Sequence, residues 1–127
     1  MREVFSNRDE ACYIVNSLLT SFKRLPSEEI MSQWDYLSAA HIVGQTNFLL
    51  HSKVHLAMLQ LALHQRNWSE IFGQMFRLSL VPLGHLFQRL PLGNSGRSNV
   101  NAFKTMSIEP KIARLIESGN HTSSKQP

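Results

Sequence analysis

The chain has one cysteine, Cys12, among its 127 residues, so it cannot form an internal disulfide. A chain without disulfides is typical of a reducing compartment, and we expect a cytoplasmic protein. The segment MREVFSNRDE carries acids where a secretory signal needs an apolar stretch, which favours the same expectation. No apolar run approaches the ~20 residues of a membrane-spanning helix, so we expect no membrane span.

Charged residues are few, and basic residues outnumber acidic ones only slightly. Charged residues make up 17% of the chain, below the typical quarter or so of a soluble domain. The net charge of +4 is not concentrated in one basic segment, so we do not expect a nucleic-acid partner. The sequence also lacks a Walker loop, a Rossmann fingerprint and an HExxH motif. Composition and motifs therefore favour a protein that is not an enzyme.

Apolar residues recur at helical spacing along most of the chain. The pattern predicts a first helix over Asp9–Arg24 and a second helix that Ser27 caps and that ends just before Gly44. A third helix is predicted to start at Thr46 or Asn47 and to run from Phe48 to about Gln65. Because apolar residues surround most of this third helix, we expect it to be the central and most buried element.

A fourth helix should begin after Asn67, whose spacing to Glu70 resembles a capping box, and should kink or end at Pro82. A short fifth helix should start near Ser107 and Pro110. The fourth helix is predicted to turn five apolar residues inward: Ile71, Phe72, Met75, Phe76 and Leu78.

These patterns predict an all-α fold, a bundle of about five helices in one domain over residues 1–118 with a flexible polar tail over 119–127. The segments RLPSEEIMSQWDYL and QRNWSEIFGQMFRL share a turn, an acidic first helical turn and a bulky apolar stripe. That similarity favours two helix hairpins related as in TPR-like repeats. An ordinary antiparallel bundle explains the same pattern.

A long segment rich in Pro, Gly and Asn precedes the last helix, and its apolar residues predict an ordered loop that packs on helices two and three. Within it, GNSGRSN can be read as an anion-binding nest in which Arg97 adds a fixed charge. The reading that we favour is a rigid connector whose glycines adopt positive φ, because turn-forming composition alone explains these residue types. The candidate residues for contact with an anion or a partner are Gln45, Gly93, Asn94, Gly96, Arg97 and Asn99.

Six histidines are many for this length. His51 and His55 are four residues apart, so they share one face of helix three. The short link between helices two and three brings His41 towards them. Three imidazoles in a bundle suit Zn²⁺, Ni²⁺ or Cu²⁺, so a divalent transition metal is a candidate cofactor. The alternative is that these histidines only stabilise a helix end or form hydrogen bonds within the core.

The strings WDYLSAAHIVGQ, HSKVHLAMLQLAL, NWSEIFGQMFRLSL and LPLGNSGRSNVNAF together resemble a bacterial family of short proteins called domain of unknown function 3703. The shared motifs are AHxxGQ, HxxxHxxM, GQxxR and PxGNxGxxN, which cover about Pro26 to Leu115. Ser38 stands where the family pattern has Glu. The resemblance implies a helical fold and assigns no activity.

Two functions remain open from the sequence. The first is a protein-interaction or oligomerising module, a homo-oligomer or partner-binding protein that associates through helix four. Six large apolar residues predict that surface: Trp68, Phe72, Phe76, Leu80, Leu83 and Phe87. The second is a small metal-binding protein that uses His41, His51 and His55.

Overall fold

In a computed structural model, the described residues 8–87, 94–97 and 107–124 form five α-helices and no strand. The predicted all-α bundle is confirmed. The helices are α1 (Arg8–Arg24), α2 (Ile30–Gly44), α3 (Phe48–His64), α4 (Trp68–Leu86) and α5 (Pro110–Ser124). None of them combines the length and apolarity that a membrane span requires.

The helices form two hairpins, α1 with α2 and α3 with α4, which meet where α2 packs on α3. α5 closes the bundle against α1 and α2. The TPR-like relationship of the two hairpins stays a prediction. α5 buries Ile112 and Ile116, and it continues to Ser124, so the predicted tail boundary after residue 118 falls inside this helix.

The central element is α2, and the prediction that α3 would be central was wrong. α2 packs on α1, α3 and α5, and it is buried almost continuously from Gln33 to Gly44. Small residues such as Ala39 and Ala40 let neighbouring helices approach it from several sides. α3, by contrast, leaves Leu49, Leu56 and Leu63 exposed. The apolar residues on all sides of α3 therefore did not mean that the helix is buried on all sides.

The turn before α2 also differs from the prediction. α2 begins at Ile30, and its N-cap is Glu29 and not the predicted Ser27. The Glu29 side chain makes no capping hydrogen bond. The backbone N–H of Glu29 donates to the carbonyl oxygen of Pro26, which holds the residues before the helix in a turn. Gly44 is the last residue of α2 and not the residue beyond it. A Cβ atom on Gly44 would lie 3.1 Å from Cβ of Leu50, so glycine here permits the close approach of α3.

The caps of the next two helices follow the sequence. The side chain of Asn47 accepts hydrogen bonds from the backbone of Leu49 and Leu50, and that of Asn67 accepts one from Glu70. α4 does not end at Pro82 but continues to Leu86. Because Asn47 fixes the start of α3, it also fixes the turn on which His51 lies.

The predicted inward face of α4 was largely wrong. Phe72, Met75 and Phe76 are more than half exposed, and of the five predicted residues only Ile71 is buried. The remaining one, Leu78, is half-buried. The residues that α4 turns inward are mainly polar, and they are Glu70, Ile71, Gln74, Arg77 and Val81.

Candidate metal centre

Three buried histidines meet between α2 and α3. His41 lies in the last turn of α2, and His51 and His55 lie on successive turns of α3. The Nε2 atom of His41 is 3.1 Å from Nε2 of His51 and 3.1 Å from Nε2 of His55. One potential ligand nitrogen from each ring lies within 4.8 Å of the others. The convergence expected from the sequence is therefore present.

The outer nitrogen of His41 is held by the segment 94–97. Nδ1 of His41 lies 2.7 Å from the backbone carbonyl oxygen of Asn94. A carbonyl oxygen can only accept a hydrogen bond, so Nδ1 of His41 carries the proton and donates it. In the neutral ring, Nε2 then has no proton, and its lone pair points into the cluster.

The outer nitrogen of His55 is held in the same way by α4. Nδ1 of His55 lies 2.7 Å from Oε1 of Gln74. The amide nitrogen of Gln74 donates to the carboxylate of Glu70 at 3.0 Å and to the carbonyl oxygen of Gly96 at 2.9 Å. Both partners can only accept, so the orientation of the Gln74 amide is determined and its oxygen faces His55. Nδ1 of His55 is therefore the donor, and its Nε2 also has no proton.

His51 contacts a fourth histidine that the sequence interpretation did not include. Nδ1 of His51 lies 3.0 Å from Nε2 of His85, near the end of α4. The ring of His85 also makes an edge-to-face contact with Phe48, at 5.4 Å between centroids. His85 could have been recognised because it lies eleven residues after Gln74, close to three helical turns, on the same face of α4.

Burial keeps the cluster neutral near pH 7. It lowers the pKa of His41 well below 6.5, and the neighbouring charges of His55 and His51 lower it further. Burial is also the main reason why the pKa of His51 falls to about 3 and that of His55 to about 4. For His55, the hydrogen bond to Gln74 acts in the opposite direction. The three rings therefore present neutral imidazoles, the form that binds metal ions.

The segment 94–97 covers the cluster from one side. Gly96 has a φ of +82° and lies against the His41 ring. Its backbone N–H donates to the side-chain oxygen of Asn94 at 2.9 Å, which stabilises the turn. The guanidinium of Arg97 lies 4.5 Å from the ring centre of Trp34, a cation–π contact with α2. These four residues thus pack back on α2, whereas the order of the whole predicted loop stays a prediction.

Of the three remaining candidates for contact with an anion or a partner, the structure describes only Gln45. Gln45 is fully buried at the end of α2, one helical turn after His41. Gly93 and Asn99 lie outside the described residues, as does most of the predicted loop. Glu70, Gln74 and Arg77 lie on the inward face of α4, and none of them was among the site residues predicted from the sequence.

Comparison with known proteins gives a family without an assigned activity. The family model described as "Protein of unknown function (DUF3703)" matches residues 10–116. No curated protein and no solved structure matches the chain. The matched segment contains all three histidines, the buried residues of α4 and the segment 94–97.

The lowered pKa values predict that the metal-free protein loses stability in mild acid. Between pH 6.5 and about 4 the unfolded chain binds protons on these histidines and the native chain does not, so the free energy of unfolding rises with pH. Each histidine contributes a slope of up to about 1.4 kcal/mol per pH unit in this window. Urea denaturation with a chelator at pH 7, 6 and 5 measures it. A pH-independent stability would contradict the prediction.

The contact between Gly96 and His41 predicts that Gly96→Ala is destabilising. A Cβ atom at Gly96 would lie 2.6 Å from Cδ2 of His41, and the positive φ is strained for alanine. We expect the free energy of unfolding to fall by about 1–3 kcal/mol. Ser95→Ala adds no atoms against the histidine and serves as the matched control in urea denaturation. Equal stability of the two variants would show that the segment does not pack tightly on His41.

Proposed function

We propose that this chain, which belongs to the DUF3703 family, is a metal-binding protein in which His41, His51 and His55 hold one divalent transition-metal ion. The observation that carries the proposal is the arrangement of protons around the cluster. Nε2 of His41 and Nε2 of His55 are 3.1 Å apart, and both rings already carry their proton on Nδ1. Two lone pairs therefore face each other across a buried gap.

A proton or a metal ion between the lone pairs would relieve this repulsion. Adding a proton would give one of these rings a positive charge. Burial has lowered the pKa of both rings, so protonation is unfavourable at neutral pH. His51 can donate one hydrogen bond to His41 if its proton lies on Nε2, but that bond leaves the contact between His41 and His55 unresolved. A metal ion would accept the lone pairs of His41 and His55 together, and that of His51 as well when the His51 proton lies on Nδ1, towards His85.

The distances and the surrounding hydrogen bonds suit such an ion. Nitrogen atoms that bind Zn²⁺ tetrahedrally at about 2.0–2.1 Å are separated from one another by roughly 3.3 Å. The two 3.1 Å separations differ from that value by a few tenths of an ångström. The outer hydrogen bonds of His41 and His55 resemble the interactions that fix the tautomer of metal-binding histidines. Three imidazoles suit Zn²⁺, Ni²⁺ and Cu²⁺ and leave one coordination position for another ligand.

Zn²⁺ should stabilise the protein by binding only to its native state. For protein purified without an affinity tag, we expect about 2.7 kcal/mol of added stability at a free Zn²⁺ concentration 100 times the Kd. Calorimetric titration measures the stoichiometry of Zn²⁺ binding. Thermal denaturation, with a chelator-treated sample as reference, measures the rise in melting temperature. His55→Ala should abolish both, whereas His64→Ala, on the same helix but outside the cluster, should retain them. A native protein that melts at the same temperature with and without Zn²⁺ would overturn the proposal.

We further propose that the chain associates with a second copy of itself through the outer face of α4. This face exposes seven large apolar side chains, namely Trp68, Phe72, Met75, Phe76, Leu83, Leu86 and Phe87. With roughly 200 Å² for each side chain and about 60% of it exposed, the face offers on the order of 800 Å², the area that one partner contributes to a standard protein interface. An exposed apolar patch of this size is larger than monomeric proteins usually carry.

A charge in the centre of the α4 face should separate the two copies. We expect Phe72→Glu to turn a dimer into a monomer at micromolar concentration, because the dimer would bury an unpaired carboxylate. Met31→Glu, which changes an equally exposed apolar residue on α2, is the control and should remain dimeric. Light scattering across a range of concentrations distinguishes them. A native protein that is monomeric throughout that range would contradict self-association.

A further inference from the structure

Arg77 is a buried cation on the face of α4 that meets the histidines. Its side chain is 8% exposed, and it lies one helical turn after Gln74. Gln74 contacts His55, and His85 contacts His51, so α4 borders the cluster at both of these positions. Arg77 is between them in the sequence and on the same inward face, which places it beside the cluster. One of its nitrogens donates to the carbonyl oxygen of Gly73 on its own helix.

The charge of Arg77 acts on the histidines. Burial is the main cause of the lowered pKa values of His41 and His55, and the Arg77 charge lowers both further. Burial also lowers the pKa of Arg77 itself, and the carboxylate of Glu70 opposes that effect. The guanidinium, the carboxylate and the imidazoles therefore share one poorly solvated region.

The charges of this region do not balance once a metal ion is bound. The three imidazoles are neutral, and Glu70 offsets one positive charge, that of Arg77. The two charges of a divalent ion would then lie uncompensated in a medium where buried charge is costly. A guanidinium beside a metal ion also weakens metal binding, unless an anion lies where it can contact both.

We propose that the coordination position left open by His41, His51 and His55 takes a small oxyanion, and that Arg77 binds this anion. The inference rests on the proposed metal function. A carboxylate or a small inorganic oxyanion has the required charge, and its second oxygen can accept hydrogen bonds from the planar guanidinium. Because the three histidines are buried, we expect this ligand to be small.

Cobalt(II) and acetate test this inference, because the visible absorption of Co²⁺ changes with its ligands. The untagged native protein is first titrated with Co²⁺ to establish one bound ion, and acetate is then added in excess. We expect a saturable spectral change and, by linkage, a higher melting temperature in acetate for the Co²⁺-loaded protein but not for the metal-free protein. A spectrum and a melting temperature that do not respond to acetate would overturn the inference.

Variants of Arg77 identify the residue that binds the anion. Arg77→Gln should bind one Co²⁺ but bind acetate at least tenfold more weakly, a loss of about 1.4 kcal/mol. Arg77→Lys keeps the charge and loses the planar fork, so it should lie between Arg77→Gln and the native protein; it is the variant to use if Arg77→Gln does not fold. Arg114→Gln, on the exposed side of α5, is the control and should bind acetate as the native protein does. Unchanged acetate affinity in folded Arg77 variants would overturn the role of Arg77.

The Co²⁺ titration separates this inference from the metal proposal on which it rests. If the native protein binds no Co²⁺ or Zn²⁺, the metal proposal itself fails. If it binds one ion and ignores acetate, the metal proposal stands and only the anion inference fails.

Discussion

Two hydrogen bonds determine what the histidine cluster can do. His41 donates to the carbonyl oxygen of Asn94, and His55 donates to the amide oxygen of Gln74. Each bond fixes the proton on the outer nitrogen of a buried ring, so the inner nitrogens face each other as lone pairs. If the rings had the opposite tautomer, the same residues at the same distances would face each other with N–H groups and could not bind a cation. The chemistry of the site therefore depends on residues that would not themselves contact an ion.

The polarity of α4 follows from the same requirement. To hold the Gln74 amide in one orientation, the helix must turn Glu70 and Gln74 inward, and Arg77 follows on that face. The large apolar residues of α4 then point outward, where the described chain does not cover them. Burial of polar groups in a small bundle is tolerated only when they are hydrogen-bonded, and the bonds among Glu70, Gln74 and Gly96 meet that condition. The polar interior and the apolar exterior of α4 are thus two consequences of one arrangement.

The sequence predicted the helices and the N-caps of α3 and α4 well because these depend on nearby residues, whereas both predicted ends of α2 were wrong. Helical spacing located the five helices, and Asn47 and Asn67 act as the caps that their positions indicated. The four-residue spacing of His51 and His55 and the short link after α2 were enough to bring three histidines together. The inward face of α4 could not be predicted in this way. Periodicity finds an apolar stripe, but which stripe faces the core depends on the tertiary contacts of the polar residues, and those require knowledge of where the histidines and Gly96 lie.

The position of the segment 94–97 couples the cluster to a distant part of the chain. Nδ1 of His41 and the carbonyl oxygen of Asn94 are separated by more than fifty residues in sequence, yet their bond determines which nitrogen of His41 faces inward. Withdrawing electron density from Nε2 makes the proton on Nδ1 a stronger donor, so an ion at Nε2 would strengthen the bond to Asn94. By thermodynamic reciprocity, an ion that strengthens the packing of residues 94–97 on α2 would itself bind more tightly when that segment is packed, and the stacking of Arg97 on Trp34 contributes to the packing. The glycine at position 96 is then explained by proximity, because any larger residue would separate the segment from the ring that it holds.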